Sequence, residues 1–268
     1  MPAKKKDIAD KSLGRSSKNF KGRSEYEHIY KAPDIVAGSA KRRPKEEYIF
    51  DFETGKFKKV TMDLPDAVKR VFLEILTNAG DAAYFSLLHG VDPGPIVFEV
   101  ADDGYLSISN GGLPVPVEPH EMTTESELHL VPTKTFGEIR QGSSYDETME
   151  RMGCGRNGYG SKLTNIFSKH FIVEIGDIGR KDSDGNPISG QHFIGEWTNN
   201  MLNLVRAEAT PGYCKDTALT QPDNNFGWRR KTTGAYKGKP FVKVEWLLDF
   251  KRFAMVDANG AVGYTGDD

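Results

Sequence analysis

The chain has 268 residues, 37% of them hydrophobic and 28% charged, with a formal net charge of −2. This composition suits a globular protein with a sizeable core, and its longest apolar runs fall far short of a membrane span. Its two cysteines, Cys154 and Cys214, stand in no Cys-x-x-Cys or Cys/His cluster, which argues against a disulfide scaffold and a zinc centre and points to an intracellular setting.

Residues 1–24 hold eight Lys or Arg and two Asp, a net +6 that leaves −8 for the rest. They show no apolar period and no apolar segment of the kind a signal peptide needs, so they read as a disordered basic arm. Such an arm suits either contact with nucleic acid or a solubilising tail. The acidic remainder is poorly suited to gripping DNA over a broad face.

Residues 25–46, with Glu27-His28-Ile29 and Pro33-Asp34 to Gly38-Ser39, read as an irregular strap. Tyr48–Val60 reads as a hairpin turning at Glu53-Thr54-Gly55. A helix is predicted over about 65–88, with Pro65 at its start and Val68, Val71, Phe72, Ile75, Leu76 and Ala79 forming the apolar stripe. At roughly 100° per residue, Glu74, Asn78 and Asp81 fall within about 60° of one another, in a polar stripe beside the apolar one. A second hairpin joins Pro95–Val100 to Tyr105–Asn110 through Asp102-Asp103-Gly104. It runs into Gly111-Gly112-Leu113-Pro114. A short helix is predicted over Thr133–Arg140 and another over Ser161–Phe167. Strands are predicted at His170–Ile175, Gln191–Trp197, Leu202–Ala209 and Phe241–Leu247, and no element is discernible over 211–239. The economical fold is one α/β (α+β) two-layer sandwich on a largely antiparallel sheet.

The polar stripe carries chemistry. Asn78 offers a neutral oxygen suited to a hard cation, Glu74 can take a proton from water, and Asp81 can accept from an amine. Taken alone, the stripe is also compatible with an ordinary solvated face. Gly153–Gly160 holds four glycines and opens the Ser161 helix, so its backbone N–H groups can turn toward an anion. Arg156 and Lys162 add positive charge, and Ser143 and Ser144 add hydroxyls. The spacing matches neither a Walker loop nor a Rossmann fingerprint. By itself this segment fits polyphosphate binding or a mere flexible loop.

The order Glu-x-x-x-Asn-x-x-Asp on a helix, a strand ending in Asn-Gly-Gly, then a glycine-rich loop opening a helix resembles the GHKL ATPase superfamily. That superfamily includes type II topoisomerases, MutL, the ninety-kilodalton heat-shock chaperone and sensor histidine kinases. Within it the local words resemble type IIA DNA topoisomerases of the eukaryotic, viral and phage kind. These words are Glu27-His28-Ile29, Pro33-Asp34, Gly38-Ser39, Glu74-Ile75-Leu76, Asn78-Ala79, Val131-Pro132, Phe136-Gly137, Ser143-Ser144-Tyr145-Asp146 and, above all, the run from Gly155 to Ser168. The likeness covers about 27–176 and continues weakly to about 255.

The resemblance implies a Bergerat ATP-binding fold over 25–268, with a mixed, mostly antiparallel sheet and an ATP lid at about 140–160. It implies ATP and Mg²⁺ as ligands. Glu74 would be the general base, Asn78 the Mg²⁺ ligand, and Asn110, with Asp81 nearby, the adenine contact. Ser143 and Ser144 would meet ribose and phosphate; Arg156, Asn157, Gly158, Tyr159 and Gly160 would wrap the phosphates, and Lys162 would reach them. It implies a homodimer on ATP binding and DNA as the partner of the full enzyme, located in cytoplasm, nucleoid or nucleus. Another GHKL ATPase, or a nucleotide-gated dimerisation module with little hydrolysis, is the alternative.

The sequence also departs from the family pattern. Pro114 replaces a glycine and is expected to reshape the adenine turn, Cys154 replaces another, and Val242 stands where the family has an adenine-side threonine. Phe20 or Tyr26 stands nearest the arm tyrosine that reaches a partner's nucleotide in the family. Nothing matches the transducer domain with its Gln-Thr-Lys loop, or the cleavage domain. The expectation is therefore a fragment, a split subunit or a stand-alone relative, with slow turnover in isolation.

Overall fold

The computed structural model describes residues 22–121, 130–140, 158–181, 187–213 and 239–255. The expected arm therefore lies almost wholly outside the described residues, as does most of 211–239.

The strap is more regular than its turn residues suggest. Helix α1, Glu25–Lys31, opens with a capping box in which Ser24 accepts from the Glu27 N–H and Glu27 reaches back to Ser24. A 3₁₀ turn follows at Pro33–Ile35. Strands β1 (Lys45–Asp51) and β2 (Lys56–Met62) form the expected hairpin, but as a two-stranded sheet of their own. The side chain of Asp51 caps its turn by accepting from the Glu53 and Thr54 N–H groups.

Helix α2 spans Asp66–Leu88 and buries Val68, Val71, Ile75 and Ala79, as the apolar period requires. The remaining elements are β3 (Val97–Val100), β4 (Tyr105–Gly111), α3 (Val131–Gly137), α4 (Gly160–Ile166), β5 (Ser168–Lys181), β6 (Pro187–Thr198), β7 (Asn203–Pro211) and β8 (Phe241–Leu248). Strands β3 to β8 make one sheet in the order β3-β4-β8-β5-β6-β7. Each of these described pairings is antiparallel, so no parallel pair of the expected mixed sheet is found among the described residues.

Two cores hold the layers together. In one, Ile75 and Ala79 of α2 pack on the sheet face made by Leu106, Ile108, Phe171, Val173, Ile175, Val244 and Trp246. In the other, Ile29 of α1 joins Val68 and Val71, Leu163 and Ile166 of α4, and Phe250 and Phe253 beyond β8. The Arg252 guanidinium lies 4.0 Å from the centre of the Tyr30 ring and donates to the Tyr30 carbonyl, which ties the segment after β8 to α1. Among the described residues, no helix is long and apolar enough to cross a membrane.

The sheet face away from α2 is polar yet buried. His170 pairs with Glu196 at 2.7 Å and His192 with Glu174 at 2.8 Å, while Lys243 lies 3.5 Å from Glu245. Ser107, Ser109, Glu174, Lys243 and Glu245 are each 5% exposed or less. Buried charges persist when paired and hydrogen-bonded; the His170–Glu196 and His192–Glu174 pairs supply partners across β5 and β6, and Lys243–Glu245 supplies one along β8.

Candidate functional site

Helix α4 is fixed to its neighbours by short side chains. Thr164 Oγ1 donates to the Val71 carbonyl of α2 at 2.9 Å. Ser161 Oγ donates to the Thr135 carbonyl of α3 at 3.2 Å, and Asn165 Nδ2 donates to the Phe136 carbonyl at 3.1 Å. All three residues are buried.

This anchoring sets Gly160 directly over the polar stripe of α2. A Cβ placed on Gly160 would overlap Glu74 Oε2 and lie 3.6 Å from Asn78 Nδ2. A side chain there would have to displace the Glu74 carboxylate, and glycine lets the carboxylate lie against the backbone. The predicted trio of Glu74, Asn78 and Gly160 is thus brought together across the join of α2 and the glycine-rich segment. Gly158 has φ +63°, the left-handed conformation that glycine adopts at little cost. Asp81 is half-buried on the same stripe.

Asn110 lies on β4. It is 4% exposed and sits on the strand face of Leu106 and Ile108, the face that packs on Ile75 and Ala79. Its Nδ2 donates to the Gly111 carbonyl at 3.0 Å. Its cross-strand partner is Val242, so the slot where a threonine was sought lies beside Asn110 and carries no hydroxyl.

Two expected contacts are arranged differently. Lys162 is 3% exposed, and burial pushes its ammonium down to about 8 from the ordinary 10.5, against a smaller opposing pull from Glu138. The Tyr159 hydroxyl donates to the Glu25 carboxylate of α1, and Arg140 Nε donates to the same Glu25 oxygen at 2.8 Å and to the Tyr159 oxygen at 3.1 Å. The side chain of Tyr159 is therefore turned toward α1, leaving its backbone for the loop. Tyr26, one candidate for the arm tyrosine, donates its hydroxyl to the Asn200 carbonyl of its own chain, and burial pushes that hydroxyl up to about 12. Ser143, Ser144, Arg156 and Asn157 lie outside the described residues.

Sequence reasoning passed over Arg70, whose Nε pairs with Glu74 Oε1. The i, i+4 spacing was the available signal. It also passed over Glu25 and Arg140, distant in sequence from Tyr159, and Ser86, which holds the turn after Asn110.

No family model matches the sequence. The chain is 34% identical over 200 residues to the DNA topoisomerase 2 of Candida albicans, covering 73% of this chain and 12% of that one. It is 29% identical over 243 residues to that of Candida glabrata, covering 90% of this chain and 14% of that one. The DNA topoisomerase 2 of Invertebrate iridescent virus 6 is 30% identical over 206 residues, covering 74% and 17%. The chain thus spans a small part of the length of these curated relatives. Among solved structures, the ATPase region of Saccharomyces cerevisiae topoisomerase II superposes with a TM-score of 0.71 at 26% identity, over 94% of this chain and 55% of that one. The ATPase and transducer domains of topoisomerase II from Balamuthia mandrillaris share the fold, with a TM-score of 0.69.

Proposed function

The chain is a homologue of the GHKL ATPase region of DNA topoisomerase II, and from that relationship we propose that it binds Mg²⁺-ATP between α2 and the 158–160 turn and hydrolyses it as the ATPase domain of a type IIA DNA topoisomerase. The observation that carries this reading is the close approach of the Glu74 carboxylate and the Asn78 amide to the backbone of Gly160.

Glu74 is the proposed general base. One of its oxygens is held by Arg70 and the other faces the Gly160 backbone, so the carboxylate is fixed in orientation. A water beside Glu74 Oε2 attacks the γ-phosphorus; the new O–P bond forms as the bond to the β-phosphate oxygen breaks, and ADP leaves. The water proton passes to Glu74 and then to solvent. The backbone at Gly158, Tyr159 and Gly160 cradles the phosphates, with Lys162 beneath them. In this reading Ser143, Ser144, Arg156 and Asn157 complete the wrap. Asn110 reads the adenine edge, its amide oxygen accepting from the exocyclic amine, and Asp81 supports that side.

The donor set also fits Mg²⁺. Among the described residues no group of three or more His, Cys, Asp or Glu converges on one point. Mg²⁺ does not need such a cage, since it keeps several waters and takes further oxygens from phosphate. Asn78 would hold it, and its charge would offset that of the phosphate oxygens.

Coupling of ATP binding to homodimer closure and DNA strand passage, with transducer and cleavage domains and the basic arm contributing, belongs to the same proposal. Calorimetry with Mg²⁺-AMPPNP tests its core. Asn78→Ala is expected to abolish measurable binding, while Glu74→Ala keeps binding and slows phosphate release from ATP about 10²–10⁴-fold. Nucleotide binding by the wild-type chain that ignores Asn78→Ala would overturn it.

A further inference from the structure

The turn that follows Asn110 is clamped to α2 by one side chain. Ser86 is fully buried. Its Oγ donates to the Ala82 carbonyl at 2.7 Å within the helix and accepts from the Leu113 N–H at 2.8 Å. Gly112 between them has φ +96°, and a Cβ on it would overlap Ser86 Oγ, lie 2.9 Å from Ser86 Cβ and come within 3.2 Å of Pro93 Cβ. The backbone from Asn110 to Leu113 is therefore pressed onto the last turns of α2, with one hydrogen bond setting its height. An apolar side chain at position 86 would leave the Leu113 N–H without that acceptor, and a side chain at position 112 would push the turn away.

Helix α2 thus meets the site at two places. Glu74 and Asn78 face Gly160 near its middle, and Ser86 grips the Asn110 turn twelve residues beyond Glu74, roughly 18 Å along the axis at 1.5 Å per residue. A single rigid helix then sets the spacing between phosphate-side and base-side groups. We propose that Ser86 is a positioning residue for nucleobase recognition: by holding the Leu113 N–H it fixes where the Asn110 amide stands relative to Glu74 and Asn78. Ser86 touches no ligand in this arrangement and acts through the turn. Nothing in the sequence motifs marks it, because its role arises from a contact between residues far apart in the chain. The inference rests on the ATP reading above and goes beyond it by separating base recognition from phosphate recognition.

The test uses the full 268-residue chain, with Ser86→Ala and Gly112→Ala as two independent ways of loosening the same junction, one from the helix and one from the turn. Calorimetry compares three Mg²⁺-loaded probes: AMPPNP, GMPPNP and inorganic triphosphate, which has no base. Both variants are expected to bind AMPPNP about tenfold more weakly, as loss of a buried hydrogen bond at the turn implies. Both are expected to bind triphosphate as the wild type does, and to show a narrower preference for AMPPNP over GMPPNP. Equal losses for AMPPNP and triphosphate would show that Ser86 only supports the fold, and the proposal falls. Unchanged AMPPNP binding in both variants sinks it as well. A wild-type chain that binds triphosphate but not AMPPNP, or binds neither, overturns the ATP reading itself, and this inference with it.

Discussion

Lys162 is charged at neutral pH yet almost wholly enclosed, at 3% exposure, with its ammonium held down to about 8. Below that pH it carries its proton in both folded and unfolded chains, and the full cost of burying the charge weakens the fold. Between about 8 and the ordinary 10.5 the unfolded chain still holds the proton while the folded one has released it, so stability rises with pH across that window. The full effect is on the order of 3 kcal/mol. Lys162→Met is therefore expected to be more stable than wild type at pH 7, with an advantage that shrinks toward pH 10, read as the difference in urea midpoints. If polyphosphate binds beside this lysine, it draws the ammonium back up, and binding near pH 8 takes up protons. Calorimetry in buffers of different ionisation enthalpy counts them. The same residue shows the limit of motif reading: its identity and place after the glycines were legible, but its depth was not, because depth is set by how α4 packs between α2 and α3.

At the scale of elements, α4 has only seven residues, too few to be stable alone, and side-chain bonds to its neighbours hold it. Thr164→Val keeps the shape and removes the donor to the Val71 carbonyl. It is expected to cost about 1–2 kcal/mol, seen as a lower urea midpoint at unchanged slope. Helix α2 was readable from sequence because its apolar and polar stripes both obey one period. Helix α1 was also marked, by Ser24-x-x-Glu27, but its few residues among turn formers concealed it. Strand β4 alternates apolar and polar residues, yet the polar Ser107 and Ser109 are 2% and 5% exposed. Ser107 Oγ donates to Glu99 Oε2 of β3 at 3.2 Å, and Ser107 and Ser109 stand opposite Glu245 and Lys243 of β8, a neighbour that no local pattern announces. The exposed face of the β1–β2 hairpin, with Phe52 at 90% and Phe57 at 72% exposure, is likewise invisible to a scale that expects aromatics inside.

Across the whole molecule, the sheet order is the feature that sequence could not supply. Strand β8 is the last described strand, yet it lies between β4 and β5, pairing Asn110 with Val242 on one side and Ile175 with Val242 on the other. Hairpin signals predict neighbours along the chain; this insertion joins β8 to β4, more than a hundred residues earlier in the chain, as well as to β5. Such distant pairings close slowly, because much of the chain must be ordered before they form. During synthesis, β3 and β4 emerge early, and β5 to β7 can zip together, but the two halves of the sheet share no edge until residues 241–248 leave the ribosome. A chain ended after Pro240 is expected to show no cooperative melting by circular dichroism. The strand that carries Asn110 is then among the last parts of the protein to become solid, so on the proposed ATP reading an incompletely made chain would hold no purine.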